Sequence, residues 1–128
     1  MPPTLGGNTH VVKDLTVVST NVYYSNHFNM NISSIFGIFA KCSAPSGTPD
    51  VKVELEESWK EPANPNASDG DYVIPDGASA VFSGINDQNA HIKSLSPVPM
   101  KYGRFKITGI NSNPAGTVLN IRIFMQEL

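Results

Sequence analysis

Apolar side chains fall at every second position through the last quarter of this chain. Tyr102-Gly-Arg-Phe-Lys-Ile-Thr-Gly109 and Thr117-Val-Leu-Asn-Ile-Arg-Ile-Phe-Met-Gln126 are both period-two stretches, with a turn-forming segment, Ile110 to Gly116, between them. In an extended chain successive side chains point to opposite faces, so this alternation predicts strands with one buried face. The two segments read as an antiparallel pair closing an all-β domain. Val51 to Trp59 alternates as well. Val51, Val53, Leu55 and Trp59 share one face; Lys52, Glu54, Glu56 and Ser58 share the other, which is predicted to be wet. Glu57 breaks the inner set and marks the rim or a bulge.

The rest of the chain reads as shorter pieces. His10 to Thr20 carries Val11, Val12, Leu15, Val17 and Val18, as one strand or two short ones. Asn21 to Asn31 predicts a strand and a loop bearing exposed aromatics. Ile32 to Cys42 is a continuous apolar run, predicted as a central strand buried on both faces, with Gly37 marking a bulge or a close approach. Ala44 to Asp50 is a turn. Lys60 to Asp71 is a long loop, followed by short strands at Asp71–Ile74 and Ser79–Ser83 around Pro75-Asp76-Gly77. Ile85 to Asn89 turns again, and Ala90 to Leu95 is a further strand. About eight short strands with turn signals between them predict a single β-sandwich or jelly roll over residues 10–128. Residues 1–9, rich in Pro and Gly, predict an extended, flexible N-terminal arm. The expected inner faces hold Ile38, Val53, Leu55, Phe105, Ile107, Leu119, Ile121 and Ile123. Proline spacing excludes a helical bundle, and no segment offers the crossover helix of a doubly wound fold.

Composition agrees with this. Of 128 residues only 16% are charged, while Gly and Pro number ten each, which suits turns and short strands. The net charge of −2 gives no electrostatic reason to expect nucleic acid. The charges are unevenly spread, however. Asp50 to Asp87 is strongly acidic, and Gln88 to the end is basic. Either the two sets meet within the fold or scatter over its surface, or an acidic face on one copy meets a basic face on another. The single cysteine, Cys42, excludes an internal disulfide and reads as a small buried hydrophobe. The first residues have neither a basic nor an apolar leader region, and the longest apolar run is too short to span a membrane. The expected location is the cytoplasm in which the chain is made, or a particle released from it. The acceptor patterns at Asn31 and Asn66 then read as chance.

Candidate chemistry is sparse. His10, His27 and His91 lie in three separate segments, so no nucleophile–base–orienter grouping is indicated. Clustered Cys and His for zinc are lacking. Asn64, Asn66, Asp69 and Asp71 offer oxygens for calcium, but without the order of a calcium loop they read as a solvated turn. Gly6-Gly7 has no flanking strand and helix to make a phosphate cradle. No enzyme activity and no cofactor are expected. Tyr23, Tyr24, Phe28, Trp59 and Tyr72 are candidate sugar-stacking aromatics, with core packing the plainer role for Phe28 and Trp59. Tyr102, Arg104 and Lys106 share a face that reads as ordinary solvent surface rather than a platform for single-stranded nucleic acid.

Two segments carry a family resemblance. Thr48-Pro-Asp-Val-Lys-Val-Glu-Leu-Glu-Glu-Ser-Trp59 resembles a strand of tailed-phage virion proteins. Pro99 to Pro114 followed by Thr117 to Glu127 is similar to their closing hairpin, with its aromatic-x-arginine, threonine-glycine and asparagine-proline steps. The resemblance implies a small all-β virion structural protein, foremost a decoration or cement protein on the outside of a capsid. Its partners would be the major capsid protein and itself, as a homo-oligomer with a trimer as the implied ring, without nucleic acid or membrane. Thr4, Leu5, Val11, Tyr23, Tyr24 and Phe28 are the candidate interface residues. The alternative is a carbohydrate-binding or adhesion module, from a phage tail or a host, using exposed aromatics.

Overall fold

The computed structural model describes residues 9–29, 35–58, 81–95, 102–111 and 113–126. These residues form nine strands: β1 (Thr9–Thr16), β2 (Val22–Tyr24), β3 (Phe28–Asn29), β4 (Ile35–Ser43), β5 (Val51–Ser58), β6 (Phe82–Ile85), β7 (Ala90–Leu95), β8 (Tyr102–Gly109) and β9 (Val118–Gln126). One sheet has the order β1-β9-β4-β7. The other runs β2-β8-β5-β6, with β3 also paired to β8. All pairings are antiparallel. The all-β, sandwich-like expectation holds.

β2 and β3 act as one kinked edge strand along β8. At the kink the Ser25 N–H donates to the Phe105 carbonyl, and the Ser25 hydroxyl accepts from the Phe105 N–H at 2.8 Å. A side-chain oxygen thus replaces the backbone carbonyl that the kink removes from the ladder. Counted this way, the strands pair as a nest: β1 with β9, β2/β3 with β8, β4 with β7, β5 with β6. That is the pairing of one long hairpin. The further pairs β4–β9 and β5–β8 roll the hairpin into two sheets.

The core lies between the inner faces. Ile38, Val53, Leu55, Phe105, Ile107, Leu119, Ile121 and Ile123 are all buried, joined by Ala40, Cys42, Val51 and Ile85 in one apolar cluster. The period-two pattern therefore identified the inward positions correctly, and Cys42 is the small core residue expected.

Several expectations require correction. The two closing segments, β8 and β9, do not pair with each other; they lie in different sheets. Each is central, with both edges taken: β8 by β5 and β2/β3, β9 by β1 and β4. The segment between them is longer than a tight hairpin needs and bridges the roughly 10 Å between packed sheets. β4 is central but not buried on both faces: Ile38, Ala40 and Cys42 point inward, while Lys41 and Ser43 are exposed. Its ladders with β7 and β9 run through Gly37 without a shift, so Gly37 marks no bulge. Glu57 likewise sits in an unbroken ladder, opposite Gly103. It keeps the inner register at the end of the core and is buried. The bulges fall in β1 instead, on either side of Val12, and between β5 and β6. Strand Ala90–Leu95 is found as predicted; of the expected strand Ser79–Ser83, residues 79–80 lie outside the described residues, and Phe82 and Ser83 belong to β6, which runs on to Ile85. Residues 1–8 of the expected arm lie outside the described residues, as do Asp71–Ile74; Thr9 already belongs to β1.

One end of the sandwich is tied by the threonine-glycine and asparagine-proline steps. Gly109 passes so close to the Ser19 carbonyl that a Cβ there would overlap it. Its N–H donates to the Asn21 carbonyl. The Asn113 carboxamide accepts from the Asp50 N–H at 2.7 Å and donates to the carbonyls of Ser19 and Asp50. Three loops distant in sequence are thereby joined through one side chain. These motif residues hold the fold together.

Candidate functional site

The sequence offered aromatics as the binding residues, and the fold places most of them in its own fabric. Phe28 is buried against Phe105, ring centroids 5.1 Å apart. Tyr23 is half-buried against the core, and its hydroxyl accepts from the Val18 N–H at 3.0 Å. Tyr24 is half-buried beneath the Arg104 guanidinium, 4.1 Å from its ring centre. Val11 packs against the core from β1. The exposed aromatic surface expected over Asn21–Asn31 is therefore absent at these residues, because β2 and β3 are stitched to β8. Thr4, Leu5, Trp59 and Tyr72 lie outside the described residues, as do Asn64, Asn66, Asp69 and Asp71.

The face of Tyr102, Arg104 and Lys106 is also not plain solvent surface. Arg104 is 1% exposed and Glu56 9%. They stand directly opposite in the β5–β8 ladder. The Arg104 Nε–H donates to Glu56 Oε1 at 2.9 Å, and a terminal nitrogen lies 2.9 Å from the same oxygen. The acidic middle and the basic end thus meet inside one protomer here. Both charges are satisfied by each other and by the Tyr24 ring, so the cluster is a structural brace.

The histidines remain separate. His91 bonds to Asp87 at 2.8 Å across the β6–β7 turn, where Asp87 also accepts from the Asn89 N–H. These bonds, the His91 one foremost, hold the Asp87 carboxyl below its ordinary range. His27 packs edge-on against Tyr102. Among the described residues no group of three His, Cys, Asp or Glu is placed to hold a metal ion.

Among the described residues, His10 belongs to an arrangement that resembles a binding site. The outer face of the first sheet carries an open groove of about 540 Å³, lined by His10, Lys13, Asp14, Phe39, Lys41, Ser43, Asn120 and Arg122. The register explains the convergence. His10, Arg122 and Phe39 form one row across β1, β9 and β4; Asn120 and Lys41 lie in the next. Arg122 Nε donates to His10 Nε2 at 2.8 Å. An arginine nitrogen can only donate, so His10 accepts there and carries its proton on Nδ1. The Asp14 N–H donates to Asn120 Oδ1 at 2.9 Å. Asp14 itself sits in the left-handed region, φ 51°, within the β1 bulge. Such bulges re-aim side chains near sites. His10 and Arg122 are 112 positions apart, so no local pattern pointed to this groove. The broken alternation of Val11-Val-Lys-Asp-Leu15 marks only the β1 bulge and not the groove it borders.

No protein-family model and no curated protein matches this chain.

Proposed function

We propose that this chain is a virion structural protein of the decoration or cement type, attached to the outside of a tailed-phage capsid. The observation that carries the reading is the nested strand order, β1-β9-β4-β7 facing β2-β8-β5-β6. We read this order as a jelly roll, an architecture that recurs in capsid proteins. It supports the resemblance at Thr48–Trp59 and Pro99–Glu127 independently of the residues that carry it. The threonine-glycine and asparagine-proline steps of that resemblance have structural work at Gly109 and Asn113, as motifs of a building block should.

Attachment would use a sandwich end or face rather than strand addition. The β1 edge is bulged, and the β7 edge presents the exposed Lys93, both of which discourage open-ended pairing. Val18, Val22 and Ile110 are exposed apolar residues at the end tied by Gly109 and Asn113, and they offer an anchoring surface. A closed trimer with its arm on a neighbour remains part of the proposal. The test is purification of particles from the native host by density gradient, with mass spectrometry of the band. The chain should band with mature capsids at a fixed ratio to the major capsid protein. Its absence from particles would end the proposal. Light scattering of the free protein tests the trimer, and a monomer both free and on the particle would remove it.

A further inference from the structure

We propose that the groove across β1, β9 and β4 is a binding site for a carboxylate-bearing sugar, of the uronic or sialic acid kind. This goes beyond the attachment role and does not depend on it.

The groove's scale is that of a small ligand, within the roughly 300–1,000 Å³ of such sites. A protein partner would instead need a broad patch of roughly 800 Å² on this side. The charge selects an anion. Lys13, Lys41 and Arg122 face one carboxylate, Asp14. No salt bridge joins those three cations to a carboxylate among the described residues. The internal bonds leave donors available: with Nε engaged by His10, Arg122 keeps its terminal nitrogens, and with Oδ1 engaged by Asp14, Asn120 keeps its amide hydrogens. Arg122 is thus held in place before any ligand arrives, and its remaining fork suits a carboxylate.

A simple inorganic anion would not use the rest of the groove. The Asp14 carboxylate repels any anion set directly against it, so a compact phosphate gains nothing there, whereas a sugar with its acid group at Arg122 can offer Asp14 hydroxyl donors. Ser43 adds a hydroxyl that donates and accepts, and half-buried Phe39 supplies an apolar wall beside Arg122. Donors, one acceptor and a ring wall around a cationic centre fit a polyhydroxyl ring bearing an acid group. Sugar recognition thereby moves from the aromatics Tyr23 and Tyr24 to the opposite sheet.

The test is titration of the full-length, isotope-labelled protein with galacturonic acid and N-acetylneuraminic acid, followed by amide shifts, with galactose, acetate and inorganic phosphate as comparisons. At least one acidic sugar should shift Lys41, Asn120 and Arg122 saturably in the millimolar range, with galactose and acetate at least about tenfold weaker. Arg122→Gln should abolish the shifts. Lys41→Gln, at an exposed position that cannot threaten folding, should weaken binding several-fold. Asp14→Asn keeps a residue that tolerates the left-handed backbone and should narrow the preference for the sugar over acetate. The proposal is overturned if neither acidic sugar shifts the groove, if acetate or phosphate binds as tightly, or if the Lys41→Gln variant binds like wild type. Absence of the chain from particles would leave these results untouched.

Discussion

Replacing Arg104 by Met should be among the most damaging single changes in this protein. Met keeps much of the stem volume and removes the charge. The Glu56 carboxylate, 9% exposed, would lose two donors, each 2.9 Å from Oε1, and Tyr24 would lose the cation over its ring. Breaking one side of a buried pair costs about 3–5 kcal/mol, because the remaining charge stays desolvated without its partner. A total stability of about 5–15 kcal/mol is typical of such domains, so about a fifth or more would be lost. The midpoint of thermal unfolding should fall by roughly 10–20 °C. The double variant Arg104→Met with Glu56→Leu should recover most of that loss, since neither charge is then buried. Urea denaturation of wild type, both single variants and the double variant reads all terms. A loss below about 1 kcal/mol for Arg104→Met would refute the brace. So would a double variant as unstable as the two single changes added together.

Further expectations concern the packed ends and the core. Gly109→Ala should destabilise at the upper end of about 1–3 kcal/mol, because its Cβ would overlap the Ser19 backbone carbonyl; a urea midpoint equal to wild type would contradict the close approach. Cys42 is fully buried, and burial pushes its thiol up to about 11. At pH 8 a thiol reagent should modify the native protein more than about 100-fold slower than the unfolded chain, and comparable rates would show that β4 opens freely. Burial also raises the Glu57 carboxyl. A raised acid favours the fold fully below its unfolded value of about 4.3, and that contribution is lost as pH rises through the folded value. Glu57→Gln should therefore gain stability over wild type as pH increases from 4 to 8, measured by urea midpoints across that range, and a gap that shrinks with pH would reverse the sign.

What the sequence determined by itself was the direction in which side chains point. Period-two alternation is a property of the extended backbone, so Val53, Leu55, Phe105, Ile107, Leu119, Ile121 and Ile123 could be assigned to the core before any partner was known. Alternation says nothing about which strand lies alongside. That is why β8 and β9, neighbours in sequence with matching patterns, read as a pair and proved to be the centres of two different sheets. The same limit hid Arg104 and Glu56. Charged residues at alternating positions look wet, and only the register that sets them face to face lets them be buried together. It also hid the groove, whose His10 and Arg122 meet only because β1 returns to pair with the last strand. Local sequence sets the face of each strand, because that depends on one backbone. Partner, register and burial of charge depend on several strands at once, and only the tertiary structure decides them.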